Sequence, residues 1–187
     1  MAEDRHEPKG ERLEREGGKL IHKGPVISLR ADRFRYPDGG TDVRQVVVHP
    51  GSVAIVAYDP QVVFMVRQPR EPVEEAALLE LPAGTLDKGG EAPLEAAQRE
   101  LTEEIGKSAG DWRELRRFYT SPGFASEQAH LFMATELYDV PAEPEADERI
   151  EVVRVPLGEL DATIDACRDA KSIIGLMMLR EHLASRA

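Results

Sequence analysis

Three observations predict an α+β protein in which helices sandwich a sheet. Two strand-length runs, Ser52 to Tyr58 and Gln61 to Gln68, are nearly all apolar and separated only by Asp59-Pro60. Such runs suit the middle of a sheet covered on both faces. A helical pattern begins at Pro93 and stops near Ile105, where Gly106 supplies the C-terminal stop. Strands and helices then mix without strict alternation, which disfavours a doubly wound sheet. A chain of 187 residues has room for one generous domain and a small appendage.

Taken in order, Met1 to Gly18 carries six acids and four bases with hardly any apolar residues. It reads as a charged, disordered tail and as neither a secretory signal nor a basic transit peptide. Residues 19–48 read as a β-hairpin: Val26, Ile27 and Leu29 lead to Phe34 and Tyr36, Pro37-Asp38-Gly39-Gly40 makes the turn, and Val43 to His49 returns. Residues 49–187 form the main domain. Beyond the two central strands, Leu78 to Leu81, Leu115 to Thr120, Ala129 to Leu137 and Ile150 to Val155 read as strands. Leu157 to Ala170 and Ser172 to Ala184 read as closing helices, the second with Ser172 as N-cap.

Composition narrows the function classes. A hydrophobic fraction of 41% is too high for a disordered chain, and no apolar run approaches the roughly 20 residues that span a bilayer. A single cysteine, Cys167, excludes an internal disulfide framework and a multi-cysteine zinc site. With a net charge of −11 and no Lys/Arg-rich stripe, sequence-independent binding to nucleic acid is disfavoured. The expectation is a soluble cytoplasmic protein with no membrane or nucleic-acid partner.

The helix from Pro93 carries the chemistry. At 100° per residue, Glu100, Glu103 and Glu104 fall within an arc of about 100°, while Leu94, Ala97, Leu101 and Ile105 form the adjacent stripe expected to be buried. Like charges at this spacing repel by a few tenths of a kcal/mol per pair. A solvated acidic face is one reading. The other is a site for a hard cation such as Mg²⁺ or Mn²⁺, which bridges carboxylates and substrate phosphates. A glycine loop before the helix and Arg99 directly before the glutamates favour the second.

The segment from Gly84 to Gly106 resembles the signature of the Nudix hydrolases. Glu91 and Arg99 have the family spacing, and Arg99-Glu100-Leu101-Thr102-Glu103-Glu104-Ile105-Gly106 matches throughout. Two departures stand out: six residues, one more than usual, separate Gly84 from Glu91, and Lys107 occupies an aliphatic position. Ala92, just before Pro93, also lacks a capping side chain. The resemblance implies the Nudix fold, an α/β/α sandwich with a mixed sheet, here with an N-terminal β-hairpin extension. Leu79-Glu80-Leu81-Pro82-Ala83-Gly84, Val66-Arg67-Gln68-Pro69-Arg70 and Thr120-Ser121-Pro122-Gly123-Phe124-Ala125-Ser126-Glu127 are similar to the ADP-ribose pyrophosphatase branch.

That branch implies Mg²⁺-dependent hydrolysis of ADP-ribose to AMP and ribose 5-phosphate. ADP-glucose, GDP-mannose or a non-catalytic nucleotide sensor are the alternatives. By resemblance, the Ala83 carbonyl, Glu100 and Glu104 would hold metal, with Glu103 as auxiliary ligand and Arg99 orienting the glutamates. Glu127 would position or deprotonate the attacking water, against the plainer reading of an exposed loop glutamate. Arg70 and Arg67 would bind phosphate or the terminal ribose, or else form surface ion pairs. Glu80 would contact the nucleotide or brace the loop. The hairpin of this branch commonly builds a homodimer. The Glu143 to Glu151 cluster reads as a solvated loop, and His22, His130 and His182 as structural or surface residues.

Overall fold

The computed structural model describes residues 13–141 and 149–186. The first twelve residues of the expected tail and residues 142–148 of the acidic cluster lie outside the described residues. The chain divides into two units, one ending at His49 and joined by Ser121–Ser126, the other comprising Pro50–Thr120 and the chain from Glu127.

In the first unit, β1 (Glu14–Lys23), β2 (Ser28–Arg35) and β3 (Thr41–Val48) form an antiparallel sheet in the order β1-β2-β3. The expected hairpin is β2 and β3, and a third strand precedes it. β1 begins inside the stretch read as tail, because its charged, glycine-containing sequence has no alternation to reveal a strand. All ten residues of β1 are exposed. Asp32 of β2 is buried between the guanidinium groups of Arg15 (2.6 Å) and Arg30 (3.1 Å). Residues 121–126 lie against β3, where the Val47 amide donates to Phe124 O and the Ser126 amide donates to Val47 O.

The second unit is a seven-stranded mixed sheet. Its main path runs β10-β5-β4-β9-β8, with β6 added to β5 and β7 to β4. The strands are β4 (Ser52–Tyr58), β5 (Val62–Arg70), β6 (Glu75–Glu80), β7 (Ala83–Thr85), β8 (Lys107–Tyr119), β9 (Gln128–Asp139) and β10 (Glu151–Pro156). Among the described residues of this sheet, β4 and β9 pair in parallel and the other pairs are antiparallel. β4 is the centre, with all seven residues buried. Val53, Ile55 and Ala57 pack with Ala96, Ala97 and Leu101 of α1 (Pro93–Ile105) on one face. Ala54, Val56 and Tyr58 pack on the other with Leu176 and Leu179 of α3 (Ala170–Ala184) and Leu160 of α2 (Leu160–Ala166). Each fully buried Val, Leu or Ile contributes about 1.5–3 kcal/mol, so the apolar run read from the sequence anchors both layers. No helix among the described residues is long and apolar enough to cross a membrane.

Several local expectations are corrected. α3 is capped by Asp169, whose carboxylate accepts from the Ser172 amide (2.9 Å) and hydroxyl (2.7 Å); Ser172 is the third helical residue. Ser172 is wholly buried, and its hydroxyl accepts from the Leu81 amide at 2.7 Å. The helix expected from Leu157 is a 3-10 turn followed by the short α2, which ends before Cys167. β8 starts at Lys107, well before Leu115, and β7 was not expected at all. His130 is buried and pairs with Glu114 at 2.9 Å. Arg117 and His130 hold the Glu114 carboxyl down, at about 2.

Candidate active site

The glutamate helix presents its carboxylates to a cleft of about 380 Å³. Its closing residue, Gly106, adopts φ +64°, the left-handed turn that ends a helix. At its start Ala92 offers no side-chain acceptor, and Glu95 instead accepts from the Ala92 amide at 2.9 Å. The buried face differs from the stripe read from the sequence. Ala96 is fully buried and Leu94 is 39% exposed, because the two small alanines let the helix roll close to the sheet. The roll carries Glu100 and Glu104 inward until each is only 7% exposed. Glu104 therefore does not face away from the packed side, as the arc had suggested.

β7 supplies the opposite wall. Ala83 donates its amide to Glu104 Oε2 at 2.9 Å, which fixes the start of β7 against the helix. The next residue is glycine: a Cβ on Gly84 would lie 2.0 Å from the Glu100 carboxyl carbon and would push that carboxylate from its place. Backbone and carboxylates thus meet at closest approach, and the Ser52, Ala83, Gly84, Glu100, Glu104 and Glu127 side of the cleft is rich in oxygen donors.

Arg99 organises the glutamates from behind. Its guanidinium reaches Glu91 through Nε (3.0 Å) and Nη2 (3.1 Å), and Nη1 reaches Glu100 at 2.7 Å and Glu103 at 2.6 Å. Its hydrogen bonds hold the Glu91 carboxyl below the usual range, and the same bonds raise Arg99 further above its ordinary value. Glu91 keeps its place beside Arg99 despite the extra loop residue. Glu103 sits on the far side of Arg99, 3.6 Å from Lys88 Nζ, and does not line the cleft.

Glu127 immediately precedes β9 and is not a free loop carboxylate. Ser52 Oγ donates to its Oε1 at 2.6 Å and Thr120 Oγ1 to its Oε2 at 2.7 Å. At the other end, Arg70 donates through Nε (2.8 Å) and Nη2 (2.7 Å) to Oε2 of Glu80, which is 3% exposed. Arg67 lies outside the cleft lining and pairs with Glu151 of β10 at 3.1 Å. Thus Ala83, Glu100, Glu104, Glu127, Arg70, Glu80 and Arg99 share one cleft, whereas Arg67 and Glu103 do not line it.

Sequence reasoning passed over four residues here. Ser52 and Thr120 steady Glu127, and no spacing in the sequence links them to it. Gln68 sits inside the Arg67–Arg70 motif but drew no role. Lys171 lines the cleft with its Nζ 3.2 Å from Asp169 Oδ1. Burial works against charge on Asp169, yet Lys171 and the Ser172 hydrogen bonds keep its carboxyl below the usual range.

Among the described residues, no three Asp, Glu, His or Cys side chains converge as a closed metal cage. Mg²⁺ seldom uses such cages: one or two carboxylates suffice when phosphate oxygens and waters complete its octahedron. The all-oxygen donor set of Glu100, Glu104 and the Ala83 carbonyl, packed against a backbone with no space for a side chain, fits a hard divalent ion of that kind.

Comparison with known proteins places the chain in a family. A family profile described as NUDIX domain matches residues 48–174. An ADP-ribose pyrophosphatase of Bacillus subtilis is 39% identical over 172 residues, covering 89% of this chain and 92% of that one. A methanol dehydrogenase activator of Bacillus methanolicus is 38% identical over 165 residues, covering 86% and 88%. The crystal structure of an ADP compounds hydrolase superposes with a TM-score of 0.82 at 22% identity, covering 97% of this chain and 99% of that one, a likeness of fold. With the signature helix, its cleft and a profile match over most of its length, the chain belongs to the Nudix hydrolase family.

Proposed function

We propose that the protein is a Mg²⁺-dependent diphosphatase that hydrolyses ADP-ribose to AMP and ribose 5-phosphate. The observation that carries the reading is the single cleft in which Glu100 and Glu104, the Ala83-Gly84 backbone and a tethered Glu127 come together. The substrate is suggested by the Bacillus subtilis relative, named for ADP-ribose and similar over nearly its whole length. Glu100, Glu104 and the Ala83 carbonyl would hold the ion, while Glu103 stays outside the cleft, paired with Arg99. Bound there, Mg²⁺ (or Mn²⁺) supplies the positive charge that neutralises the diphosphate and fixes its orientation. Arg99 keeps Glu100 and Glu103 aligned through its ion pairs. Arg70 and Glu80 hold the sugar or nucleotide end. A Glu127 carboxylate oxygen takes the proton of the attacking water as its oxygen adds to phosphorus and the bridging P–O bond breaks.

A carboxylate has about four lone-pair sites. Two on Glu127 accept from Ser52 and Thr120, which sets the plane of the group. Retention of Glu100, Glu103, Glu104 and Glu127 together speaks against a purely sensing module. Nucleotide sugars assayed in parallel, with Mg²⁺ and with chelator, test the reading. ADP-ribose is expected to be cleaved fastest, with activity lost to chelator and restored by Mg²⁺ or Mn²⁺. Faster cleavage of ADP-glucose or GDP-mannose would reassign the substrate. Binding without cleavage would support the sensor.

We also propose a cytoplasmic homodimer assembled through the first unit. β1 is an edge strand with all its residues exposed, and Leu20 and Ile21 on it are 46% and 48% exposed. Such an edge invites pairing with a second copy. Light scattering at micromolar concentration should give twice the chain mass of 20.8 kDa; the mass of one chain would refute the dimer.

A further inference from the structure

The cleft wall contains a hydrogen-bond donor that the protein itself does not use. Gln68 lies on β5 two residues before Arg70, with a register irregularity against β6 between them, and its side chain shares a face with that of Val66. Val66 of that same face stands opposite Glu80 on β6. Gln68, Arg70 and Glu80 all line the cleft. The Gln68 Nε2 is buried and makes no hydrogen bond among the described residues. A buried amide donor without a partner is destabilising, and such groups are rare enough in native proteins to require an explanation.

Charge indicates what the donor is for. Arg70 directs both Nε and Nη2 to the same Glu80 oxygen, so this guanidinium and carboxylate cancel. With the neutral amide, the three side chains form a patch of no net charge that offers both donors and an acceptor. A phosphate brought here would meet the Glu80 carboxylate. An uncharged group that both gives and accepts hydrogen bonds matches all three.

We propose that Gln68 is a specificity-determining residue that, with Glu80 and Arg70, reads an uncharged hydrogen-bonding group flanking the diphosphate. The vicinal diol of a ribose and the polar edge of a base share that chemistry. The terminal amide torsion of glutamine is broad, so a small rotation brings Nε2 from the wall to the ligand. This inference rests on the nucleotide-sugar reading above.

Gln68→Met keeps the length and bulk of the side chain and removes the donor. Two readouts should move in opposite directions. The thermal midpoint should hold or rise, because an unpaired buried amide is gone, while kcat/KM for ADP-ribose falls about tenfold, the worth of one good hydrogen bond. The loss should appear mainly in KM and should be matched by weaker ADP-ribose binding in calorimetry with chelator present. Analogues with hypoxanthine for adenine, or lacking a hydroxyl on either ribose, identify the group that is read. The wild type and Gln68→Met should become equal on the analogue that lacks it. Unchanged kcat/KM, or the same loss on every analogue, overturns the inference, as does a fall in thermal midpoint with kinetics intact. If the wild type cleaves a different nucleotide sugar, the ADP-ribose reading fails and the same comparison on that substrate decides Gln68. A wild type that binds no nucleotide sugar overturns both.

Discussion

Glu127→Gln is expected to bind ADP-ribose as the wild type does and to turn it over about 10²–10⁴-fold more slowly, the usual contribution of a general base. The substitution is close to isosteric, and the site tolerates it. The new carbonyl oxygen can accept from Ser52 or Thr120, and the other hydroxyl can rotate to accept from the new amide. What disappears is the capacity to take a proton. Single-turnover cleavage and calorimetric binding without turnover separate the two effects. Parallel loss of binding and turnover would make Glu127 a ligand of substrate or metal; wild-type values for both would make it a bystander. Because both carboxylate oxygens are tethered, Ser52→Ala should also slow turnover, by less, through a misplaced carboxylate.

Glu104→Gln should lose turnover by at least about 10²-fold, the upper end of what loss of a supporting partner costs at a metal site. The wall of the cleft should survive, since the amide oxygen of glutamine can accept the Ala83 N–H that Glu104 accepts at 2.9 Å. The variant separates charge from architecture: circular dichroism and thermal midpoint should stay near wild type while metal titration shifts to higher concentration. In excess chelator the wild type and the variant should be equally inactive. Full activity of the variant, or of the wild type in chelator, would remove Glu104 and the ion from the mechanism.

The legible parts of this protein are those in which one local rule suffices. β4 could be read because nearly all its residues are apolar, and the course of α1 because proline opens it and glycine closes it. The carboxylate arc follows from helical spacing alone. What escaped depends on partners distant in sequence. β7 is three residues of a glycine loop, made a strand by β4 opposite it. The first half of β8, from Lys107 to Glu114, is largely polar, and it is a strand because β9 pairs with it. The depth of Glu104 depends on how far two alanines let the helix roll, which spacing along one helix does not encode. Asp169 displaced Ser172 as the cap because the Ser172 hydroxyl is turned inward to the Leu81 amide, 91 residues away in sequence.

The fan of ion pairs around Arg99 has a consequence for the protein in the cell. Arg99 is a covalently attached counter-cation that already faces Glu91, Glu100 and Glu103. One guanidinium thus offsets part of the repulsion among three glutamates and holds them together without an external ion. In proteins that depend on metal for structure, the energy of binding is the energy of folding, and chelators denature them. The ion pairs of Arg99 predict that here the two are uncoupled. The expected result is a chain that keeps its thermal midpoint in chelator while losing turnover, so that the supply of the proposed ion would set activity without setting the amount of folded protein.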